Sequence, residues 1–287
     1  MTMGLDGRIA LITGAGRGQG RSHALRLAEA GARVVCTDIG EDVATMEYSL
    51  ATPSDLEETV ELVKEAGGEA LGILADVRSQ EALDQAVAQT LSTYGRLDVV
   101  VANAGIWGLR KLWEITEEEW AETQDVVLAG VWRTIKAAVP TMMEQRSGSL
   151  ILISSVNGLE GGANFAHYTA AKHGVIGLMR AAALELGPFN VRVNAICPGF
   201  MDTRMNEWQR AYDMMAGHEG GTPQDRLDNA YGWNILAGRG VLPVDATSQG
   251  VLYLASDMAE HVTGIELPID GGHRVLNGLN MSPVRPD

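Results

Sequence analysis

Cysteine is nearly absent: two occur in 287 residues, Cys36 and Cys197, each inside an apolar run. Two distant thiols make neither a disulfide framework nor a metal-ligand spacing, which favours a reducing compartment and a cytoplasmic protein. Asp202, His218, Glu219 and His261 show no metal-ligand spacing either, so no metal is expected. Positive charge is scarce too, with 22 basic against 37 acidic residues and a formal net charge of −15. Such a field repels phosphate polymers and acidic lipid surfaces, so neither nucleic acid nor a membrane is expected as a partner. A run of about 18 consecutive apolar residues is missing, which argues against a membrane span. In the opening "MTMGLDGRIALITG", Asp6 and Arg8 interrupt what would be the apolar core of a signal peptide.

What the chain does contain is a rhythm. Short apolar, β-branched runs recur at 8–13, 33–38, 69–76, 97–104, 149–155, 191–198 and 265–270. Their unbroken apolar character suits parallel strands covered on both faces. Helical patterns fill the gaps at 20–30, 55–66, 79–93, 117–144, 166–186 and 245–256. Ser54 and Glu57 in "SDLEET" read as a helix cap and its partner three residues on. This alternation predicts one doubly wound α/β domain over 1–287. Two segments break it: 39–53 lengthens the connection after the second strand, and 200–240 interposes a methionine- and aromatic-rich stretch.

Glycine is concentrated in "LITGAGRGQG", directly after the first apolar run. Strand, glycine-rich turn and helix is the arrangement in which terminal N–H groups and the helix dipole hold a pyrophosphate. The spacing is not G-x-G-x-x-G, because Gln19 stands where the third glycine would fall. Thr13, Gly14, Gly18 and Gly20 fit T-G-x-x-x-G-x-G instead, with Arg17 available as a phosphate ligand. A tight turn with close helix packing is the competing explanation of the same glycines. Asp38 sharpens the reading, because a carboxylate ending the second strand can accept from a ribose diol and repel a 2′-phosphate. The predicted dinucleotide is therefore NAD rather than NADP.

"AHYTAAKH" puts Tyr168 and Lys172 four apart, on one face of a helix. A free phenol, with a pKa near 10, is a poor base at neutral pH. A cation about 4 Å away at an effective dielectric near 20 is worth roughly 4 kcal/mol, or about three pKa units before desolvation opposes it. Tyr168 is thus expected to work as a phenolate that takes a hydroxyl proton while hydride leaves the same carbon. Ser155 ends a strand at the carboxyl edge of the predicted sheet, placed to hold the substrate oxygen; Ser154 should face the other way. His167 reads as a packed helix histidine rather than a proton carrier.

With "TGAGRGQG", Asp38, "ADV" at 75–77, "NAG" at 103–105, "SS" at 154–155, "YTAAK" at 168–172 and "PG" at 198–199 followed by Thr203, the chain resembles the short-chain dehydrogenase/reductase family over essentially its whole length. The resemblance implies a Rossmann-type parallel sheet of seven strands in the order 3-2-1-4-5-6-7, bound NAD(P), and a homotetramer or homodimer. It implies a catalytic set of Ser155, Tyr168 and Lys172. It implies a cofactor site of Gly14, Arg17, Gly18, Gln19, Gly20, Asp38 and Ile39, with Asp76 and Val77 beside the adenine. Asn103, Ala104 and Gly105 would flank the adenine ribose, and Lys172 would hold the nicotinamide ribose beside Tyr168. Pro198, Gly199, Met201 and Thr203 would lie along the nicotinamide.

Val127 is the misfit, since members of the family commonly carry asparagine there, where its amide anchors a relay water. Valine offers no side-chain donor or acceptor. More narrowly, the segment after Asp38, "ATPSDLEETVELV" and "AAKHGVIGLMRAAALELGP" resemble the carveol-dehydrogenase-like, mycofactocin-associated branch. That branch implies an insertion at 39–53 covering an NAD that exchanges poorly and is reoxidised in place by a redox partner. The 200–240 stretch, with Trp107 and Leu159, is expected to act as a lid over a hydrophobic secondary alcohol or its ketone, such as a cyclic terpenoid. A 3-oxoacyl thioester reductase and a non-catalytic NAD-responsive binding protein are the alternatives.

Overall fold

The computed structural model describes residues 4–276 together with Gly278 and Arg285; the remainder of the expected 1–287 domain lies outside the described residues. Seven parallel strands form one sheet: β1 (Ile9–Thr13), β2 (Arg33–Asp38), β3 (Ala70–Leu74), β4 (Val99–Ala102), β5 (Gly148–Ile153), β6 (Val191–Pro198) and β7 (Glu266–Ile269). Their order is β3-β2-β1-β4-β5-β6-β7, as expected. β1 pairs with β2 on one side and β4 on the other. The direction of winding therefore reverses at β1, where a doubly wound sheet opens a crevice beyond its strand ends.

Helices cover both faces: α1 (Gly18–Glu29), α2 (Pro53–Glu65) and α9 (Val244–Ala255) on one, and α3 (Gln80–Tyr94), α5 (Gly130–Gln145) and α6 (Ala166–Leu186) on the other. Strand alternation divides the core between these layers. Ala10 and Ile12 of β1 pack with Leu27 and Val60, whereas Ile9 and Leu11 pack with Ile135 and Met179. Every residue of β1 and β4 is buried, which is why their sequences show no polar alternation.

Local chemistry corrects two expectations. The N-cap of α2 is Thr52, not Ser54: Thr52 and Asp55 form a reciprocal capping box ahead of Pro53. The helical run expected over 117–144 is not uniform. It consists of α4 (Glu117–Gln124), a π-helical segment at Asp125–Ala129, and α5. By length and composition this run could cross a membrane. Here it serves as a core helix, with Val131, Ile135, Ala138 and Met142 buried. Two short helices, α7 (Gln209–Ala216) and α8 (Pro223–Asn229), occupy the 200–240 interruption.

Candidate active site

The carboxyl ends of the strands open into a groove of about 660 Å³, which meets a smaller pocket of about 130 Å³. Gly14, Arg17, Gly18, Gly20, Asp38, Ile39, Asp76, Val77 and Ala104 line the groove. Ser155, Tyr168, Lys172, Pro198, Gly199 and Met201 line the pocket. Gln19, Asn103, Gly105 and Thr203 line both. All the site residues expected from the sequence thus gather around one continuous cleft.

The glycines answer to the protein's own backbone more than to a ligand. A Cβ on Gly14 (φ +66°) would lie 2.8 Å from Ala104 Cα, and one on Gly20 would lie 2.0 Å from the Gly14 carbonyl oxygen. Gly18 differs: at φ +57° it faces open groove, its nearest neighbour being Thr203 Cγ2 at 3.5 Å. The helix it opens receives no side-chain cap, because Arg17 makes none. The first-turn N–H groups of α1 are therefore free to take an anion in the groove.

Asp38 is 8% exposed and its Oδ2 accepts from the Gly16 backbone N–H at 2.8 Å. Burial raises its pKa, and backbone N–H donors oppose the rise. Asn103 spends its amide on the Thr13 and Gly14 carbonyls, at 2.9 and 3.1 Å, and so fixes the loop. Asp76 faces the groove while bonded to Arg78. Arg17 is drawn under the 39–53 segment, where it donates to the Ser49 carbonyl at 2.6 Å. Its side chain is thus already engaged, which weakens the expectation that it binds phosphate.

Tyr168 and Lys172 rise from the first turns of α6, and Ser155 follows β5. The Ser155 hydroxyl accepts from the Asn157 N–H at 3.1 Å and lines the pocket together with Tyr168, whose pKa it lowers. Ser154 instead donates to the Lys172 carbonyl at 3.0 Å. The charge arithmetic from sequence does not hold in the free protein. Lys172 Nζ donates to the Ile153 carbonyl at 2.7 Å and stands 5.6 Å from the Tyr168 ring centroid. Burial pushes the phenol up to about 12, against the nearby Ser155 hydroxyl that lowers it, and burial pushes the Lys172 ammonium down to about 8. In this state Tyr168 is a proton donor, and making it a base takes further positive charge in the cleft.

The pocket is walled by Trp107, Phe165, Phe200, Met205, Met214 and Trp233. Trp107 meets Phe165, Tyr168 and Trp208 edge-on at 5.9, 6.5 and 5.8 Å between centroids. The expected lid residues divide: Met215 is buried behind the wall, while Tyr212 and Tyr231 lie off it. Leu159 does not reach the pocket and packs on the core under α5 and α6. His167 is buried, lines neither cavity and leaves Nδ1 without a partner, which fits a packed helix residue. Val127 is fully buried among Val77, Leu83, Ile106 and Ala171, so apolar packing occupies the position of the usual amide.

Sequence reasoning missed Tyr48, Glu160 and His273. The Tyr48 hydroxyl accepts from the Trp107 N–H at 3.1 Å, and its ring lies 5.8 Å from Trp208. The insertion thus reaches the substrate wall as well as the groove. No local pattern marks these residues, since their partners lie far off in the chain.

A profile of the family described as short chain dehydrogenase matches residues 8–213. The chain is 44% identical over 271 residues to a (−)-trans-carveol dehydrogenase of Rhodococcus erythropolis, covering 93% of this chain and 98% of that one. A crystal structure of a carveol dehydrogenase from Mycobacterium avium in complex with NAD superposes with a TM-score of 0.91 at 41% identity, covering 94% and 99% of the two chains. A 3-oxoacyl-[acyl-carrier-protein] reductase of Thermotoga maritima is 34% identical over 270 residues, covering 94% and 99%.

Proposed function

This chain belongs to the short-chain dehydrogenase family, and from that premise we propose that it is an NAD-dependent dehydrogenase interconverting a hydrophobic secondary alcohol and its ketone. The observation that carries this reading is that Ser155, Tyr168 and Lys172 together line an apolar pocket where that pocket joins the dinucleotide groove. The groove fits NAD: an uncapped helix start faces it through Gly18, and a carboxylate stands at the end of β2. Asp38 disfavours a 2′-phosphate, which weighs against the thioester-reductase alternative.

Gly18, Gln19 and Gly20 would hold the pyrophosphate, Asp38 and Ile39 the adenosine ribose, and Asp76 and Val77 the adenine. Asn103, Ala104 and Gly105 would line the central stretch, and Pro198, Gly199, Met201 and Thr203 the nicotinamide end. Bound in its oxidised form, NAD supplies a hydride-accepting carbon and a positively charged ring. Ser155 holds the substrate oxygen, and Tyr168 takes its proton during oxidation or returns one during reduction. Lys172, fixed by the Ile153 carbonyl, holds positive charge behind the phenol ring and favours its ionisation.

Tyr168→Phe is the test. Oxidation of (−)-trans-carveol should fall by about a thousandfold or more while NAD binding, read by calorimetry, is unchanged. Unchanged turnover would overturn the assignment and favour a binding protein.

Three finer readings belong to the same proposal. The natural substrate is a cyclic, terpenoid-like alcohol, supported by the aromatic pocket and by 200–240 acting as its lid. The 39–53 insertion holds NAD against exchange, so that a redox partner reoxidises it in place, as the mycofactocin-associated resemblance suggests. The enzyme works in the cytoplasm as a homotetramer.

A further inference from the structure

Beyond the residues of the reaction, one ionisable residue lines the substrate pocket with an acidic partner behind it. His273, on the turn after β7, lines the pocket beside Trp233 and Phe200. Its ring stacks on Trp233 at 5.1 Å and 15°, and Trp233 in turn lies 6.2 Å from Phe200. Nδ1 is 3.0 Å from the Trp233 carbonyl oxygen, and Nε2 is 2.8 Å from Glu160 Oε1. A carbonyl oxygen can only accept, so Nδ1 carries a proton. Nε2 is thereby turned to the Glu160 carboxyl group, and the two side chains form one hydrogen-bonded unit.

This unit joins three segments around the pocket: the turn carrying Ser155 and Glu160, the lid residue Trp233, and the turn after β7. The last is held firmly. The Asp270 carboxylate accepts from the Gly272 and Arg274 N–H groups at 2.9 and 3.1 Å, and the Gly271 carbonyl accepts from Ile235 N–H at 3.0 Å. With both nitrogens engaged, His273 offers a substrate a flat ring and no free donor. Its outer nitrogen is already taken by an acid, Glu160.

We propose that the His273–Glu160 pair determines substrate specificity by charge, admitting neutral alicyclic alcohols and rejecting those with a carboxylate on the ring. This rests on the dehydrogenase reading above. A carboxylate entering the pocket meets a histidine whose partner is already an acid, and so loses its hydration without gaining a counter-charge. Removing the Glu160 carboxylate takes that acid away, and an entering carboxylate is then no longer repelled from the His273 side of the pocket.

The experiment compares kcat/KM for 4-methylcyclohexanol and for trans-4-hydroxycyclohexanecarboxylate in the wild type, Glu160→Gln and His273→Gln, alongside NAD affinity and melting temperature. The wild type should favour the neutral alcohol by about a hundredfold or more, and Glu160→Gln should shrink that ratio by about tenfold or more, chiefly through KM of the acid. His273→Gln should not shrink it, because it leaves Glu160 without supplying a cation. A ratio within about twofold of wild type in Glu160→Gln overturns the proposal. So does a parallel fall for both substrates, which marks the pair as structural only. If the wild type and the variants oxidise neither alcohol, it is the dehydrogenase reading that fails, as Tyr168→Phe tests separately.

Discussion

Lys172 is 3% exposed and donates to the Ile153 carbonyl, and its burial works against its charge. Burial lowers its pKa from 10.5 to about 8. Below pH 8 folded and unfolded chains both hold the proton, and the folded state carries the full burial cost. Between 8 and 10.5 only the unfolded lysine stays protonated, so this term makes the protein more stable as pH rises. Lys172→Met should therefore raise the stability of the cofactor-free protein at pH 7 by about 1–3 kcal/mol while abolishing turnover. The gain should shrink toward zero as pH passes 10.5. Urea midpoints at several pH values measure this, and a gain independent of pH would contradict the buried-charge account. A lysine that weakens the fold where the chemistry needs it is a familiar trade.

At the scale of elements, the π-helical segment and the insertion behave differently from what local pattern suggests. Val127 sits in the π segment with its side chain in a closed apolar cluster. Val127→Asn would bury an amide among Val77, Leu83, Ile106 and Ala171 and should cost about 1–3 kcal/mol, read as a lower denaturation midpoint. Its stopped-flow rate of hydride transfer should not fall; a large fall would contradict the idea that valine impairs a proton relay.

The insertion is tethered along its length. Thr45 donates to the Glu122 carboxylate, Glu47 pairs with Arg210 of α7 at 3.1 Å, and Ser49 receives Arg17. Val43, Leu50 and Ala51 line the groove, while Tyr48 supports Trp107. The wild type should keep NAD through extensive dialysis, and Tyr48→Ala should release it about ten to a hundred times faster. Absorbance of the released nucleotide reads the outcome. A wild-type protein that emerges empty would sink the retention proposal.

For the whole molecule, the −15 charge and the exposed apolar residues point in different directions. Trp120 and Trp132 are 41% and 44% exposed along the α4–α5 run, and Leu184 on α6 is 82% exposed. These exposed apolar side chains are the surface on which the proposed association between chains would rest. Sedimentation equilibrium should give about four times the 30.6 kDa chain mass, and Trp132→Glu should lower it. A monomer at micromolar concentration would remove the homotetramer from the proposal.

Much of this molecule was legible along the chain. Apolar runs announce the parallel strands, and the seven expected fall within two residues of the observed ends; the edge strands β3 and β7 are only partly buried, because an edge of the sheet lacks cover on both faces. The gathering of Gly14–Gly20, Asp38, Ser155 and Tyr168–Lys172 around the cleft was legible because each depends on neighbours within one strand–turn–helix unit or one helical turn. Thr52 was missed as a cap because Ser54 satisfies the same local pattern.

What the sequence alone determined is the fold, the groove at the carboxyl edge of the sheet and which residues gather there, since periodicity and short spacings specify them. Only the tertiary structure decided the protonation of Tyr168, the apolar setting of Val127, the reach of Tyr48 into the substrate wall and the pairing of His273 with Glu160. These depend on burial and on contacts between residues 59 to 113 positions apart. Desolvation and long-range pairing are properties of a packed interior, and no local pattern carries them.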